Sequence, residues 1–205
     1  MFSDKSVKEF VDLVASDAPV PGGGSVSALV GALSAALLEM VTSLTIGRKK
    51  YVEVEEEMVK FRVEFMELRS KLLNLMEEDA RSYDVVIKAY GLPKDGEEEK
   101  SIRFQAIQDG LYGAALVPLE VAKTCLQTLY SVEEVLTKGN KNAYSDVKVA
   151  GVMLRSALYG ACYNVKINLE SIKDEKRVEF LKKSIKELLG EADLLEKRVI
   201  DLEVI

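Results

Sequence analysis

Apolar positions recur at helical spacing along most of the chain. From Ser6 onward, Val7, Phe10, Val11 and Val14 fall on one face, and Ser6 with Glu9 three positions later makes a capping-box pattern. A first amphipathic helix is therefore predicted, stopping at Asp17. APVPGGGS follows, the most loop-like stretch of the chain. From Ser25 to Ile46 the residues are small and apolar, with Glu39 the one charge, and Ser27, Gly31 and Ala35 recur every four positions. That spacing lets neighbouring helices approach closely. A segment of this length could span a bilayer, but it has no second of its kind, and a wholly buried helix at the centre of a bundle or dimer explains it better than a membrane anchor.

Between Glu53 and about Tyr90 no Pro or Gly intervenes, which predicts a helix, or two nearly collinear ones, longer than about 50 Å. GLPKDG ends it in a loop. A further helical pattern begins near Glu97 and runs past Pro118, where the missing backbone donor predicts a kink or a restart. KGNKN, 138–142, is the next turn, and two helices follow, Tyr144 to about Ser171 and Lys173 to Val204. The expected fold is all-α, an up-and-down bundle of long helices forming one domain over residues 1–205.

Composition narrows the chemistry. With 34 acidic against 28 basic residues the net charge is -6, which argues against a nucleic-acid surface. The chain has no histidine, which removes Ser-His-Asp and Cys-His nucleophile pairs and every His-ligated metal site. Acid–base work falls to Asp, Glu, Lys, Tyr or Cys. Cys125 and Cys162 are too few and too far apart in sequence for a zinc site or a redox pair and read as small core residues, so no metal is expected. The opening MFSDKSVKEF is charged and lacks the apolar run of a signal peptide, which points to the cytoplasm.

Three features break the pattern. Leu72, Leu75, Met76, Tyr83, Val86 and Tyr90 form one apolar stripe on the long helix, and Asp79 lies in its middle, whereas Glu77 and Glu78 point elsewhere. A carboxyl on an apolar face is desolvated, which favours its neutral, proton-donating form. The alternatives are an Asp paired with Arg or Lys from another helix, or one exposed at the stripe's edge. Asp146 and Asn164, five turns apart, share a face with Asn168, and the small residues Ala157, Gly160 and Ala161 lie between them. The two amides either bond backbone or each other, or present a donor and acceptor edge to a flat polar heterocycle. Gly22, Gly23, Gly24 and Ser25 allow close backbone approach to a ligand before a helix start, though a turn of small residues reads the same.

In order along the chain, APVPGGGSVSALVGALSAALLEMV, LTIGRKKY, EEDARSYD, LPKDGEEEKSIRFQAIQDG, VPLEVA, GNKNAYSDVKVA and GACYNVKINL resemble the successive signatures of the formiminotransferase-cyclodeaminase C-terminal domain family. The resemblance implies an all-helical, dimeric cyclodeaminase domain. It further implies conversion of 5-formiminotetrahydrofolate to 5,10-methenyltetrahydrofolate with loss of ammonia. A tetrahydrofolate derivative is then the substrate, and no cofactor is permanently bound. The family's catalytic aspartate in the DA segment matches Asp79. Gly22, Gly23, Gly24 and Ser25 resemble the lining of the folate site, and Asn140, Asp146, Asn164 and Asn168 become pterin and reaction-centre contacts. Lys94, Arg48 and Lys49 become partners for the folate glutamate carboxylates, or solvated charges. The best-known members carry an N-terminal formiminotransferase, so a separate formiminotransferase is an expected partner. Stand-alone relatives are also similar to methenyltetrahydrofolate cyclohydrolases, and the sequence leaves both activities open, as it leaves open histidine degradation or general one-carbon supply.

Overall fold

In a computed structural model, which describes residues 1–202, helix ends fall at capping groups and breakers. Seven α-helices run in the order α1 Val7–Val14, α2 Gly23–Thr45, α3 Glu55–Tyr90, α4 Glu97–Tyr130, α5 Val132–Lys138, α6 Tyr144–Leu169 and α7 Glu175–Asp201, with no strand among the described residues. Ser6 caps α1 by accepting from Glu9 N–H at 3.2 Å, while the Glu9 carboxylate accepts from Ser6 N–H at 2.7 Å. Asp174 accepts from the amides of Lys176 and Arg177 at the start of α7. Three glutamates open each of α3 and α4, where the helix dipole favours negative charge.

The four long helices α2, α3, α4 and α6 form an up-and-down bundle. α2 packs on α3 and α6, α4 closes the ring against the same two, and α7 lies outside against α6 and α4. Leu38, Phe65, Leu72, Leu119, Leu154 and Leu158 fill the centre. The small residues of α2 do what their spacing predicts: a Cβ on Gly31 would stand 2.8 Å from Cys125 Sγ and 3.3 Å from Leu72, so the helix axes can be this close only without it. Gln108 fixes the α6–α7 turn, donating to the Ser171 carbonyl and accepting from Lys173 N–H at 2.7 Å.

Several boundaries and faces differ from expectation. α1 stops at Val14 rather than Asp17 and buries only Phe10, leaving Val7, Val11 and Val14 open, because this short helix touches the molecule through Phe10 and its edge contact with Phe2. α2 begins at Gly23, since Gly22 takes the cap position. It is not wholly buried: Leu33, Met40 and Leu44 stay exposed on the side away from the bundle. On α3, Tyr83 and Tyr90 are exposed while Val86 and Ala89 are buried, because α2 begins beside Asp79 and beyond it α3 packs on α4, Val86 lying against Gly110. α4 passes through Pro118 without restarting. The lost bond to the Ala114 carbonyl is outweighed by burial of Ala115, Leu119, Val121 and Ala122 around it. The last helix ends at Asp201, and Val204 lies outside the described residues.

Candidate functional site

The first turn of α2 sits directly on the side chain of Asp79. A Cβ on Gly24 would lie 2.6 Å from Asp79 Cγ, so only glycine leaves room for the carboxyl there. One residue on, the Ser25 hydroxyl donates to Asp79 Oδ2 at 2.9 Å and also lies 3.2 Å from the Met76 carbonyl. Ser25 is fully buried, and Asp79 half-buried. Burial pushes the Asp79 carboxyl above the usual carboxylate range, and the Ser25 hydroxyl and amide, which favour the charged form, oppose it without cancelling it. No Lys or Arg lines the cavity in front of it, so the carboxyl is not neutralised by an ion pair there.

That cavity encloses about 290 Å³. Pro19, Val20 and Gly22 to Gly24 form one wall, Asp79, Ser82, Tyr83 and Val86 of α3 a second, Leu111 and Ala114 of α4 a third, and Asn164, Ile167 and Asn168 of α6 the fourth. Asn164 Nδ2 donates to the Gly160 carbonyl at 2.9 Å and Asn168 Nδ2 to the Asn164 carbonyl at 3.0 Å. Both amides thus bond backbone through their NH2 groups, and no donor among the described residues meets either Oδ1. The space between the apolar walls suits a planar ring, with acceptor oxygens on one side and a proton-donating carboxyl on another.

Of the residues singled out in the sequence, Gly22, Gly23, Gly24, Asp79, Asn164 and Asn168 meet at this cavity, and Ser25 stands behind Asp79 rather than in the lining. Four others collect at the opposite end of the bundle, the length of α2 away, or about 33 Å at about 1.5 Å per residue. Arg48 and Lys49 are exposed just past α2. Asn140 donates to the Leu44 carbonyl through Nδ2 and accepts from Asn142 N–H, so it braces the turn after α5. Asp146 lies in the first turn of α6. Lys94 is exposed in the α3–α4 loop and does not line the cavity.

Sequence reasoning missed Pro19, Val20, Leu111, Ala114 and Ile167 as walls. Only the proline-rich loop carried any signal, since the others are ordinary apolar residues at helical spacing. Four larger hollows, of about 430 to 740 Å³, are more open and edged by solvated charges such as Lys71 with Glu120, Lys182 with Glu179, Lys166 with Glu170, and Glu56 with Lys60. None brings a desolvated titratable group to a polar edge, so the smallest of the five is the stronger site on chemical grounds.

The family described as Formiminotransferase-cyclodeaminase matches residues 6–187. A methenyltetrahydrofolate cyclohydrolase of Methylorubrum extorquens is 39% identical over 201 residues, covering 98% of this chain and 97% of that protein. The formimidoyltransferase-cyclodeaminase of Rattus norvegicus is 37% identical over 92% of this chain, which spans only 35% of the rat protein. The crystal structure of a formiminotetrahydrofolate cyclodeaminase from Thermotoga maritima superposes with a TM-score of 0.87 at 34% identity, covering 97% of this chain and 96% of that one.

Proposed function

We propose that this chain, which belongs to the formiminotransferase-cyclodeaminase family, converts 5-formiminotetrahydrofolate to 5,10-methenyltetrahydrofolate and ammonia with Asp79 as general acid. The observation that carries the reading is the Asp79 carboxyl. Burial raises it toward the neutral form, Ser25 fixes Oδ2 at 2.9 Å, and no cation lines the cavity it faces. N10 of the folate attacks the carbon of the protonated formimino group, and the C=N electron pair moves onto its nitrogen, which becomes a neutral amino group. N10 then loses its proton to a base, while the amino nitrogen takes the Asp79 proton and leaves as ammonia, and the N5 lone pair completes the methenyl group. A raised carboxyl is the acid that expulsion requires. Gly22, Gly23 and Gly24 allow the ring close to the α2 backbone, Asn164 and Asn168 meet its polar edge, and Lys94 faces the tail carboxylates.

A second reading is favoured by the full-length likeness to a cyclohydrolase. There water adds to the methenyl carbon, and the ring nitrogen that departs takes the same Asp79 proton. Absorbance of the methenyl compound separates the two. Wild type supplied with 5-formiminotetrahydrofolate accumulates it in the first reading, and wild type supplied with the methenyl compound consumes it in the second. In both, Asp79→Asn loses turnover with its helical circular dichroism intact. Inertness of wild type toward both compounds, or an Asp79→Asn variant of undiminished rate, overturns the proposal.

In this reading the chain works as a homodimer. Arg48, Lys49, Asn140 and Asp146 lie too far from their own Asp79 to share a ligand with it, and they complete the partner's cavity instead. The exposed Leu33, Met40 and Leu44 on α2 supply an apolar face for the contact. The Arg69–Glu39 pair at 2.8 Å sets the register that brings Val63 and Met66 of α3 level with that face. Mixing inactive Asp79→Asn and Asp146→Asn chains then restores about a quarter of wild-type activity, because half the dimers are mixed and each has one intact site. No recovery on mixing, with subunit exchange verified, refutes the shared site.

A further inference from the structure

The Ser25 hydroxyl has one proton and two acceptors within reach, Asp79 Oδ2 at 2.9 Å and the Met76 carbonyl at 3.2 Å. It has no access to water, because Ser25 is fully buried. A hydroxyl can donate once and accept at its lone pairs. When Asp79 is charged, Ser25 donates to Oδ2. When Asp79 carries its proton on Oδ1, Ser25 still donates to Oδ2; a proton on Oδ2 would instead be engaged with Ser25 Oγ and turned away from a ligand. Neither state leaves Oδ2 or the serine without a partner, and an unsatisfied buried polar group is what would otherwise penalise one of them.

We propose that Ser25 is a positioning residue that holds Asp79 Oδ2 in both protonation states, so that the acid proton sits on Oδ1 and Asp79 gives it up and regains it without losing its hydrogen bond. The proposal rests on the assignment of Asp79 as the acid for its catalytic meaning, but its physical content does not need a substrate. The proton balance is simple: the proton that Oδ1 releases goes to the departing nitrogen, and the Ser25 proton stays on Oγ. Burial raises the Asp79 carboxyl and the Ser25 hydroxyl works against that, so removing the hydroxyl moves the titration upward. Among the residues lining the cavity, Tyr83 on α3 is the one other titratable group, and α2, α4 and α6 present Gly23, Gly24, Leu111, Ala114, Asn164, Ile167 and Asn168, none of them charged. No nearby ion therefore confounds the measurement.

The test is the carbon-13 carboxyl titration of Asp79 in the full chain, assigned by its loss in Asp79→Asn, in wild type, Ser25→Ala and Ser25→Thr, alongside the pH profile of turnover. Ser25→Ala is expected to move the Asp79 midpoint up by about one pH unit, the size of one hydrogen bond to a charged group. The alkaline limb of the turnover profile moves up with it and the maximal rate falls, while Ser25→Thr returns both midpoints to wild type. A Ser25→Ala midpoint equal to wild type overturns the proposal, whether or not the threonine variant folds, and leaves the assigned function standing. The converse pattern, an upward shift in Ser25→Ala together with a wild type inert toward both folate substrates, overturns the function and keeps the Ser25 contact.

Discussion

Replacing Gly24 by alanine tests the closest contact in the site. The new Cβ would stand 2.6 Å from Asp79 Cγ and 2.7 Å from Oδ2, where ordinary contact begins at 3.4 Å. Oδ1 would be closer still, so in a close-packed interior the carboxyl must retreat by more than about 1 Å. A movement of that size carries the 2.9 Å bond from Ser25 past about 3.5 Å, out of the range of a hydrogen bond. Loss of a bond to a charged group costs about 1.5–3 kcal/mol, and alanine's helical advantage over glycine returns about 0.5–1 kcal/mol. The variant is expected to be about 1–2 kcal/mol less stable and to melt several degrees lower. Its turnover should fall about 100-fold, the usual consequence of an ångström-scale misplacement of a catalytic group. Gly190→Ala on exposed α7 is the control, because its Cβ meets nothing within 4 Å. It should stabilise by about 0.5–1 kcal/mol and leave the rate alone. Calorimetry and the methenyl absorbance assay report both quantities. A Gly24→Ala chain as active as wild type and as stabilised as Gly190→Ala would refute the claim that the α2 backbone fixes Asp79.

Asp79→Asn should gain stability over wild type as pH rises. The folded-state carboxyl stands above its ordinary value through burial, so from that ordinary value up to the raised one the native chain holds a proton that the unfolded chain has released. Wild-type stability falls through that window and the asparagine variant's does not, so a melting-temperature difference that fails to grow in the variant's favour contradicts the burial argument. Cys125 and Cys162 are pushed up to about 12 and about 11 by burial, so both remain thiols at neutral pH. A thiol-exchange reagent should label them only at the rate of unfolding, and rapid labelling of the native chain would contradict the packing of α4 against α2 and α6.

The helices were legible because a bundle writes its core as a 3.6-residue period, and loops wherever that period meets PGGG, GLPKDG or KGNKN. Asp79 was legible for the same reason, as a charge where the period demands an apolar residue. The outlines failed where tertiary context outweighs the local signal. Pro118 reads as a kink or a restart, and of the two the restart does not occur, because its neighbours are buried on both sides. Tyr83 and Tyr90 read as core, yet α2 begins beside Asp79 and does not cover them. Leu111 and Ala114 wall the cavity but carry no mark, since a leucine facing a ligand and one facing another leucine share the same spacing. Asp146 shares a face with Asn164, and Asn140 joins them only through the resemblance, whereas the length of α6 keeps both away from Asn164 within one chain.

Stability alone would not choose the arrangement at the α2 terminus. A half-buried carboxyl with no cation in its cavity is held against its desolvation by the hydroxyl and amide of Ser25. A lysine on α4 or α6 facing it would lower that cost, and an asparagine at 79 would remove it. Either change would also take away the one property that distinguishes Asp79 from the chain's other aspartates, a proton retained above the usual carboxylate range. Glycine at 24 and a buried hydroxyl at 25 act in the same direction, for each admits the carboxyl to a half-buried place with no cation in its cavity. The cost in folding free energy and the acidity the chemistry needs therefore arise from one cause, and a substitution that relieves the first abolishes the second.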